Sequence, residues 1–463
     1  MRTLSLVDCL ELKFTGSILK EALCFGDVDN DGVSEFVVGN SDGELFIFKF
    51  DKCICRAFDL GCIAAVAVGD LLNIGRNFTV VITTEGYCHV FDVEDELKSP
   101  PEVVVTGSAL GDSTAKNGVG GDGLRVIQQF HSQRIVANTK AIFLADVDDD
   151  GMIELVCGLT DRVLRTYKWN PNPILIAPTE LVEGQQENPT FPHPAYEGRV
   201  QAINKWELTN QIGSIAPHAQ GNLVSIIIGT GGGTVTRITE VRDPSRIRED
   251  MTSSSSTNPP TEIFGSVGCR LEMKDSISTT ELQKQNVGGS DDQPGLNTIY
   301  SENISIKRYA LNSSRMRNQN ISTHVAGNIA SHDGTDRDSY AVGTWDGTVM
   351  ICKDDMIEWN LQLNKPVMTV QSFMGSAIFV DMEGPTYLIN RRIDSKMQNC
   401  ILRFYFEEQV AAFRVGLYGM RRTGGSSTPT NNDIGSENEI QNHKCFVYVT
   451  FQGDIYIYPN EFL

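Results

Sequence analysis

The sequence lacks the long hydrophobic runs that mark exported and membrane-spanning chains. No stretch of its 463 residues approaches the ~18 consecutive apolar residues that a transmembrane helix requires. The first twelve residues read MRTLSLVDCLEL, which places Asp8 and Glu11 where a secretory signal needs an uninterrupted apolar segment. We therefore expect a cytoplasmic chain that is not inserted directly into a membrane.

The chain is also poor in basic residues. It contains 39 lysines and arginines against 59 aspartates and glutamates, which gives a formal net charge of −20 at pH 7. Such an acidic surface repels the phosphate backbone of nucleic acids and the headgroups of anionic lipids. Proteins are therefore the expected partners, and nucleic acid is not.

Motifs of metal-dependent and nucleophilic enzymes are missing. The eleven cysteines show no metal-ligand spacing, and we expect them to be reduced thiols that fill small apolar gaps. The sequence contains no G-x-S-x-G elbow, no phosphate loop and no H-E-x-x-H, and the Gly-rich run at 229–234 is typical of a permissive turn. These absences predict a protein without catalytic residues.

What the sequence does contain is a repeated hairpin pattern. Each copy has an apolar run, a tight turn that usually ends in glycine, and a second run in which apolar and polar residues alternate. The seven copies span residues 35–48, 79–91, 154–167, 223–238, 339–351, 377–389 and 445–458. Another apolar segment precedes several of them, at 22–27, 64–70, 141–146 and 325–328. The shortest intervals between turns have the length of one four-stranded propeller blade.

These repeats predict an all-β chain that forms a single seven-bladed β-propeller over residues 1–463. Residues 4–14 have strand character, and we expect them to close the ring by pairing beside the strand that ends at Tyr458. Four stretches have the composition of long disordered insertions between strands, because they cannot bury enough apolar surface to offset their ordering entropy. These insertions are 99–123, 170–194, 242–301 and 421–442.

Two blades carry nearly duplicate acidic loops of the form D-x-D-x-D-G-x-x-E. The carboxylates are Asp27, Asp29, Asp31 and Glu35 in the first loop and Asp146, Asp148, Asp150 and Glu154 in the second. Alternate carboxylates on a tightly curled loop are ligands for a hard cation such as Ca²⁺, and Gly32 or Gly151 permits the sharp turn. The alternative is an Asp-rich turn whose side chains accept hydrogen bonds from their own backbone.

We expect these loops to be structural rather than sensory. An EF-hand is excluded because its bidentate glutamate at position twelve would fall on Val38 or Cys157, between flanks that read as strands. Simple loops of this kind bind Ca²⁺ weakly, with dissociation constants of about 10⁻⁴ to 10⁻³ M. A structural, weakly bound Ca²⁺ is therefore the one cofactor that the sequence suggests.

The paired loops resemble the FG-GAP repeat of integrin α-subunit propellers. Longer strings, among them GDVDNDG at 26–32, residues 138–169, NISTHVAGNI at 320–329 and FVYVTFQGDIYIY at 446–458, resemble the integrin-α FG-GAP repeat-containing subunit family of the KICSTOR complex. The resemblance runs from about residue 4 to residue 458. It also implies an Asp/Gly loop in the sixth blade, where this sequence instead has the short segment SFMGSAIFVDMEG.

The resemblance implies a non-catalytic scaffold subunit. Members assemble with kaptin, itself a propeller protein, and with a large scaffold protein, and they hold the GATOR GTPase-activating complex at the lysosomal membrane. Target-of-rapamycin kinase signalling is thereby restrained when amino acids or glucose are scarce. For this chain the resemblance implies a cytoplasmic protein, peripheral at lysosomes through its partners.

Two other classes of function compete with the scaffold interpretation. One is a calcium-dependent extracellular adhesion propeller like an integrin α head, which the absent export signal disfavours. The other is a propeller enzyme with carboxylates at its pore, which would require the two acidic loops to converge. Among surface residues, the loop-tip aromatics Tyr87 and Trp345 are the candidates for partner contact.

Overall fold

The structure is a computed structural model that describes residues 9–98, 124–172, 196–241, 297–300, 303–311, 321–330, 337–390, 400–406, 408–421 and 440–459. In these ranges the regular structure is nearly all β-strand; the exceptions are a helix at Val93–Lys98 and a 3₁₀ turn at Gly231–Gly233. The strands form seven sheets, each with four antiparallel strands at its core. The predicted seven-bladed β-propeller is confirmed.

The first four blades follow one another along the chain, with one extra strand added to blade 1 and one to blade 4. Blade 1 consists of Leu23–Gly26, Glu35–Gly39, Leu45–Lys49 and Lys52–Ala57, with Arg125–Val126 added in parallel. Blade 2 consists of Ile63–Gly69, Phe78–Thr83, Tyr87–Phe91 and His131–Arg134. Blade 3 consists of Thr139–Ala145, Glu154–Leu159, Val163–Pro171 and Gly198–Glu207. Blade 4 consists of Ile212–Gln220, Leu223–Thr230, Thr234–Glu240 and Ile304–Ala310, with Asn297–Tyr300 outside them.

The remaining three blades each have four strands. Blade 5 consists of Thr323–Ile329, Ser339–Thr344, Thr348–Lys353 and Met356–Gln362. Blade 6 consists of Val367–Phe373, Ser376–Asp381, Thr386–Asn390 and Cys400–Phe404. Blade 7 consists of Val410–Arg421, Ile440–Thr450, Asp454–Pro459 and the N-terminal strand Leu10–Lys13.

The seven first strands, one from each blade, together surround the central axis. Each one contacts the first strand of the next blade, and the first strand of blade 7 contacts that of blade 1, which closes the ring. The approach is closest between blades 4 and 5, where a Cβ added to Gly213 would lie only 1.9 Å from the carbonyl oxygen of Thr323. Glycine is therefore required there by backbone proximity.

All seven predicted hairpins are present as the second and third strands of the blades. Glycines such as Gly43 and Gly347 have φ values of +85° and +87°, which side chains rarely allow, so the glycine-ended turns form as the sequence indicates. The predicted closure by the N-terminus is also confirmed, because Leu10 pairs with Ile457 and Lys13 with Asp454.

The core lies between adjacent blades rather than in one central mass. Between blades 1 and 2, for example, Val37 and Ile47 belong to the same buried cluster as Val66 and Val81. Second strands bury both of their faces, which explains their continuous apolar runs. The thiols of Cys24, Cys55, Cys88, Cys157 and Cys445 are buried in the sheets, as expected for cysteines that fill apolar gaps.

Strands extend into the margins of three predicted insertions. Val163–Pro171 enters 170–194, Asn297–Tyr300 enters 242–301, and Val410–Arg421 and Ile440–Thr450 enter 421–442. In each case a neighbouring strand supplies backbone partners, such as Gly198 for Pro171 and Ile440 for Arg421. The rest of these segments, and all of 99–123, lie outside the described residues. Across the described ranges, no helix is long and apolar enough to cross a membrane.

The alternating strand directions give the disc two different faces. Connections between first and second strands lie on one face, which we call the carboxylate-loop face because it carries residues 27–34 and 146–153. The hairpin turns at 40–44, 84–86, 345–347 and 451–453 lie on the other, which we call the hairpin-turn face, together with the connections between blades. Backbone hydrogen bonds such as Leu60 N to Gly43 O (3.1 Å) join a connection to a turn on that face.

Candidate cation loops and partner-binding face

The first acidic loop, at residues 27–35, is held by hydrogen bonds from its own backbone. Both carboxylate oxygens of Asp27 accept, from the N–H of Asp31 at 3.0 Å and from that of Gly32 at 2.8 Å. Asp31 in turn accepts from the N–H of Val33 at 2.9 Å. These short aspartate–backbone contacts explain why the sequence curls into a tight loop between two strands.

The second loop, at residues 146–154, repeats this geometry. Asp146 accepts from the N–H groups of Asp150 at 3.2 Å and Gly151 at 2.9 Å, and Asp150 accepts from Met152 at 2.9 Å. The near-identical sequences therefore have near-identical folds. The structure places each predicted set of four carboxylates on one loop, but the two loops belong to blades 1 and 3.

The glutamate at the ninth position of each loop is buried at the start of the second strand. Glu35 accepts from the N–H of Val28 at 2.9 Å, and Glu154 accepts from that of Val147 at 3.0 Å. Each glutamate thereby ties the end of its loop back to the beginning. Position nine thus has a structural role in addition to its negative charge.

A lysine that sequence reasoning missed lies within each set of carboxylates. The ammonium nitrogen of Lys49 lies 2.7 Å from carboxylate oxygens of Asp29 and Asp31 and 2.9 Å from Glu35. Lys168 pairs with Asp150 and lies 3.4 Å from Glu154. Lys49 ends the third strand of blade 1, and Lys168 lies within the third strand of blade 3. The signal was their shared position in the hairpins ELFIFK and RVLRTYK.

Burial changes the ionisation of these groups. It raises the pKa of Glu35 to about 7, with a further rise from Asp29, while the hydrogen bond from Lys49 opposes the change. Burial likewise raises the pKa of Glu154 to about 7. The loops therefore carry less negative charge near neutral pH than four free carboxylates would.

The carboxylate oxygens of each loop form a ligand set that fits a hard cation. Carboxylate oxygens of Asp27, Asp29 and Glu35 lie within 4.8 Å of one another, and the same holds for Asp146, Asp148 and Glu154. Asp31 and Asp150 lie outside these groups of three. One oxygen of Asp29 and the equivalent oxygen of Asp148 are buried without a hydrogen-bond partner. Oxygen-only donor sets of this kind suit Ca²⁺, and the lysine competes for some of the same oxygens.

Blade 2 carries the same loop shape without the carboxylates. Asp70 accepts from the N–H groups of Ile74 at 3.0 Å and Gly75 at 2.6 Å, just as Asp27 and Asp146 do in their loops. Leu72, Ile74 and Phe78 replace the acids at the third, fifth and ninth positions. The backbone of this loop therefore forms without a cation, and the sequence search missed it because only its first aspartate and its glycine remain.

Asparagines fasten these loops to neighbouring blades. Asn442 of blade 7 accepts from the N–H of Ser34 and donates to the carbonyl of Gly32, both at 2.9 Å. Asn73, in the blade 2 loop, makes the equivalent pair with Ile153, at 2.6 Å and 3.2 Å. The acidic loops are consequently part of the contacts that hold successive blades together.

The hairpin-turn face has a different surface chemistry. Most of the exposed large apolar side chains lie on it: Leu19, Phe58, Tyr87, Trp345, Met382, Tyr405 and Phe451. Both predicted loop-tip aromatics are among them, with Tyr87 42% and Trp345 44% exposed. Exposed aromatic residues on a rigid surface are typical of protein–protein contact sites.

Seven four-stranded blades, of which the first three have Asp/Gly loops between their first and second strands, define a β-propeller of the FG-GAP-repeat type. The sequence matches the family model described as Integrin-alpha FG-GAP repeat-containing protein 2 over residues 48–267 and 274–462. The chain belongs to this family.

Two curated relatives have the same name, KICSTOR complex protein ITFG2. The mouse protein is 27% identical over 474 residues, which cover 99% of this chain and 85% of the relative. The bovine protein is also 27% identical over 474 residues, which cover 99% of this chain and 71% of the relative. Similarity therefore extends over nearly the whole propeller.

Among solved structures, a chain in the crystal structure of BBS1N in complex with ARL6DN, soaked with lead, has a similar fold. The TM-score is 0.50 with 11% sequence identity, and the match covers 98% of this chain and 96% of that chain. This similarity concerns the fold alone.

Proposed function

We propose that this chain is a non-catalytic subunit of a KICSTOR-like complex. The observation that carries the proposal is the similarity to the mouse and bovine KICSTOR complex proteins over 99% of the chain. A propeller suits this role because its faces are broad and rigid, so they lose little entropy on binding. The partners we propose are a kaptin-like propeller, a large scaffold protein and, through them, the GATOR complex.

The proposed cellular role is recruitment. The assembled complex holds GATOR at the lysosomal membrane and restrains target-of-rapamycin signalling when amino acids or glucose are scarce. In this proposal the chain reaches the membrane through its partners, which agrees with its net charge of −20, since a surface of that charge is repelled by anionic lipids.

We also propose that the acidic loops act as structural ties, with Ca²⁺ as a weak ligand. The asparagine contacts to adjacent blades support a structural role. The lysine in each loop supplies a positive charge without metal, so the propeller does not depend on Ca²⁺ to fold.

The test is a pulldown of the tagged chain from its own cells, grown with and without amino acids, with the bound proteins identified by mass spectrometry. Kaptin-like and large scaffold proteins should co-purify under both conditions, because assembly is expected to be constitutive. Recovery of glycosylated forms with secretory chaperones would instead contradict the proposal and favour an adhesion propeller.

A further inference from the structure

A cluster of basic side chains lies where the central channel opens on the hairpin-turn face. Lys20 precedes the first strand of blade 1, Lys140 is the second residue of the first strand of blade 3, and Arg414 lies in the first strand of blade 7. Because the first strands of the blades surround the axis, these three residues face a common space from different directions.

Contacts of Lys20 show that this segment crosses the channel. Its ammonium nitrogen donates to the carbonyl of Met368 at 2.6 Å and lies 3.3 Å from Nδ1 of His324. Met368 belongs to blade 6 and His324 to blade 5. The adjacent Glu21 instead forms an isolated backbone β-bridge with Ala65 of blade 2. Residues 20 and 21 therefore join opposite sides of the ring at the channel mouth.

The cluster has more positive than negative charge. Arg414 pairs with Glu21 at 3.2 Å, and Lys140 donates to the carbonyl of Ile212 at 2.9 Å. Among the described residues, Glu21 is the acidic group whose charge acts on both lysines. Three cations and one carboxylate leave an excess of two positive charges in a chain whose net charge is −20.

Because these basic side chains are partly buried, their excess of positive charge is energetically unfavourable. Burial, together with the charges of Lys140 and Arg414 and against the opposing effect of Glu21, lowers the pKa of Lys20 to about 8. Burial also lowers the pKa of His324, as do both lysines, so this imidazole is neutral. An anion placed among these groups would offset their mutual repulsion.

Hydrogen-bond donors remain for such an anion. A lysine ammonium has three N–H donors and an arginine guanidinium five, and the contacts described above use only some of them. We propose that the channel mouth binds a compact oxyanion, a phosphate or carboxylate group, between Lys20, Lys140 and Arg414.

The test uses the purified full chain and inorganic phosphate. Calorimetric titration and thermal unfolding are measured in sodium phosphate against sodium chloride at the same ionic strength. We expect saturable binding and a rise of the unfolding temperature in phosphate. Lys140→Gln should weaken the phosphate affinity about ten-fold or more, since it removes a charge-assisted contact.

The matched control is Lys365→Gln, which changes an exposed lysine on the same face that pairs with Glu383. Lys140→Gln is preferred to Lys20→Gln because Lys20 contacts two other blades, whereas the hydrogen bond of Lys140 reaches one. Thermal unfolding of Lys140→Gln in chloride shows whether the variant is folded. Absence of saturable phosphate binding, or equal binding by the wild type and a folded Lys140→Gln, would overturn the proposal.

A competition arm identifies the source of the anion. An N-acetylated tetraglutamate peptide that displaces phosphate supports an acidic segment of a partner protein as the occupant. Phosphate binding that the peptide does not affect supports a free phosphate compound. This inference is independent of complex membership, because it is measured on the isolated chain.

Discussion

At the residue scale, buried histidines make the stability of the propeller depend on pH. Nδ1 of His218 accepts a hydrogen bond from the N–H of Asn328 at 3.2 Å, which requires that nitrogen to be unprotonated. Burial, together with the charge of Arg237, lowers the pKa of His218 to about 4. The hydrogen bond between His218 and Asn328 joins the first strands of blades 4 and 5.

We expect His218 to destabilise the protein on acidification. In the unfolded chain histidine ionises near pH ~6.5, so between that pH and about 4 the unfolded state binds more protons than the folded state. Stability from this residue is therefore complete above pH ~6.5 and decreases as the pH falls towards 4.

The measurement compares urea unfolding of the wild type and His218→Gln from pH 7.5 to 4.5. The stability advantage of the wild type should shrink as the pH decreases. His443→Gln, a half-buried histidine in blade 7, is the control. A difference between wild type and His218→Gln that is constant across this range would contradict the prediction.

At the element scale, the acidic loops show what a sequence can and cannot predict. The seven hairpins and both loops were predictable, because glycine turns, alternation and D-x-D-x-D-G spacing are local features. Asn442 was not, because its contact depends on how blades that are distant in sequence meet. Lys49 was missed although its position in the hairpin, repeated by Lys168, was a local signal. The blade 2 loop was missed because apolar residues replace its carboxylates.

Removal of the loop lysine should strengthen calcium binding. Lys49→Met leaves the carboxylates of Asp29, Asp31 and Glu35 without their internal cation, so a divalent ion gains both charge and free oxygens. We expect CaCl₂ at about 1 mM to raise the unfolding temperature of Lys49→Met more than that of the wild type.

Two variants serve as controls for this prediction. Lys13→Met removes an exposed lysine that pairs with Asp454, outside the loops, and should respond as the wild type does. Asp29→Asn combined with Lys49→Met should lose the added response. If calcium affects Lys49→Met no more than Lys13→Met, the lysine does not compete with metal.

The N-terminal strand is the second element with a clear test. Leu12 is buried and belongs to the same apolar cluster as Val449 and Ile455 of blade 7, whereas Glu11 is exposed. Leu12→Asp should therefore lower the free energy of unfolding by about 2 kcal/mol or more, because it buries a charge without a partner.

Chemical denaturation checks this expectation, with Glu11→Ala as the control on the opposite side of the same strand. Deletion of residues 1–14 should destabilise the chain at least as much as Leu12→Asp. An unchanged unfolding midpoint in both would show that the strand is dispensable for closing the ring.

At the scale of the whole molecule, the two faces of the disc differ in chemistry. The carboxylate-loop face is tied together by acidic and asparagine side chains, whereas the hairpin-turn face exposes aromatic side chains around a basic channel mouth. The repeat pattern was enough to predict the propeller. The placement of most exposed aromatic side chains on one face was not predictable, because it follows from which strand ends meet on that side.

Partner binding should therefore be sensitive to aromatic residues of the hairpin-turn face. Trp345→Ala and Tyr87→Ala are expected to reduce co-purification of the proposed complex several-fold, because exposed aromatic residues contribute strongly to protein interfaces. Their thermal unfolding should match that of the wild type, since both side chains are partly solvated.

Met356→Ala provides the comparison on the opposite face. Met356 is 67% exposed and is the first residue of the fourth strand of blade 5, next to the turn that connects it to the third strand. The Met356→Ala variant should leave co-purification of the proposed complex unchanged. Loss of partners in Met356→Ala but not in Trp345→Ala would assign binding to the carboxylate-loop face instead.

The pairing of Leu10–Lys13 with Asp454–Pro459 makes closure of the ring a late step of folding. Leu10–Lys13 is made before the other described strands of the ring, whereas its partner Asp454–Pro459 is made after them. Until then blade 7 has an open edge and the apolar side of the N-terminal strand has no neighbour, which is a template for misassembly. The ring can close only after the strands of all seven blades have been made, so the incomplete chain is a natural substrate for chaperones, and loss of Asp454–Pro459 would leave Leu10–Lys13 without its partner strand.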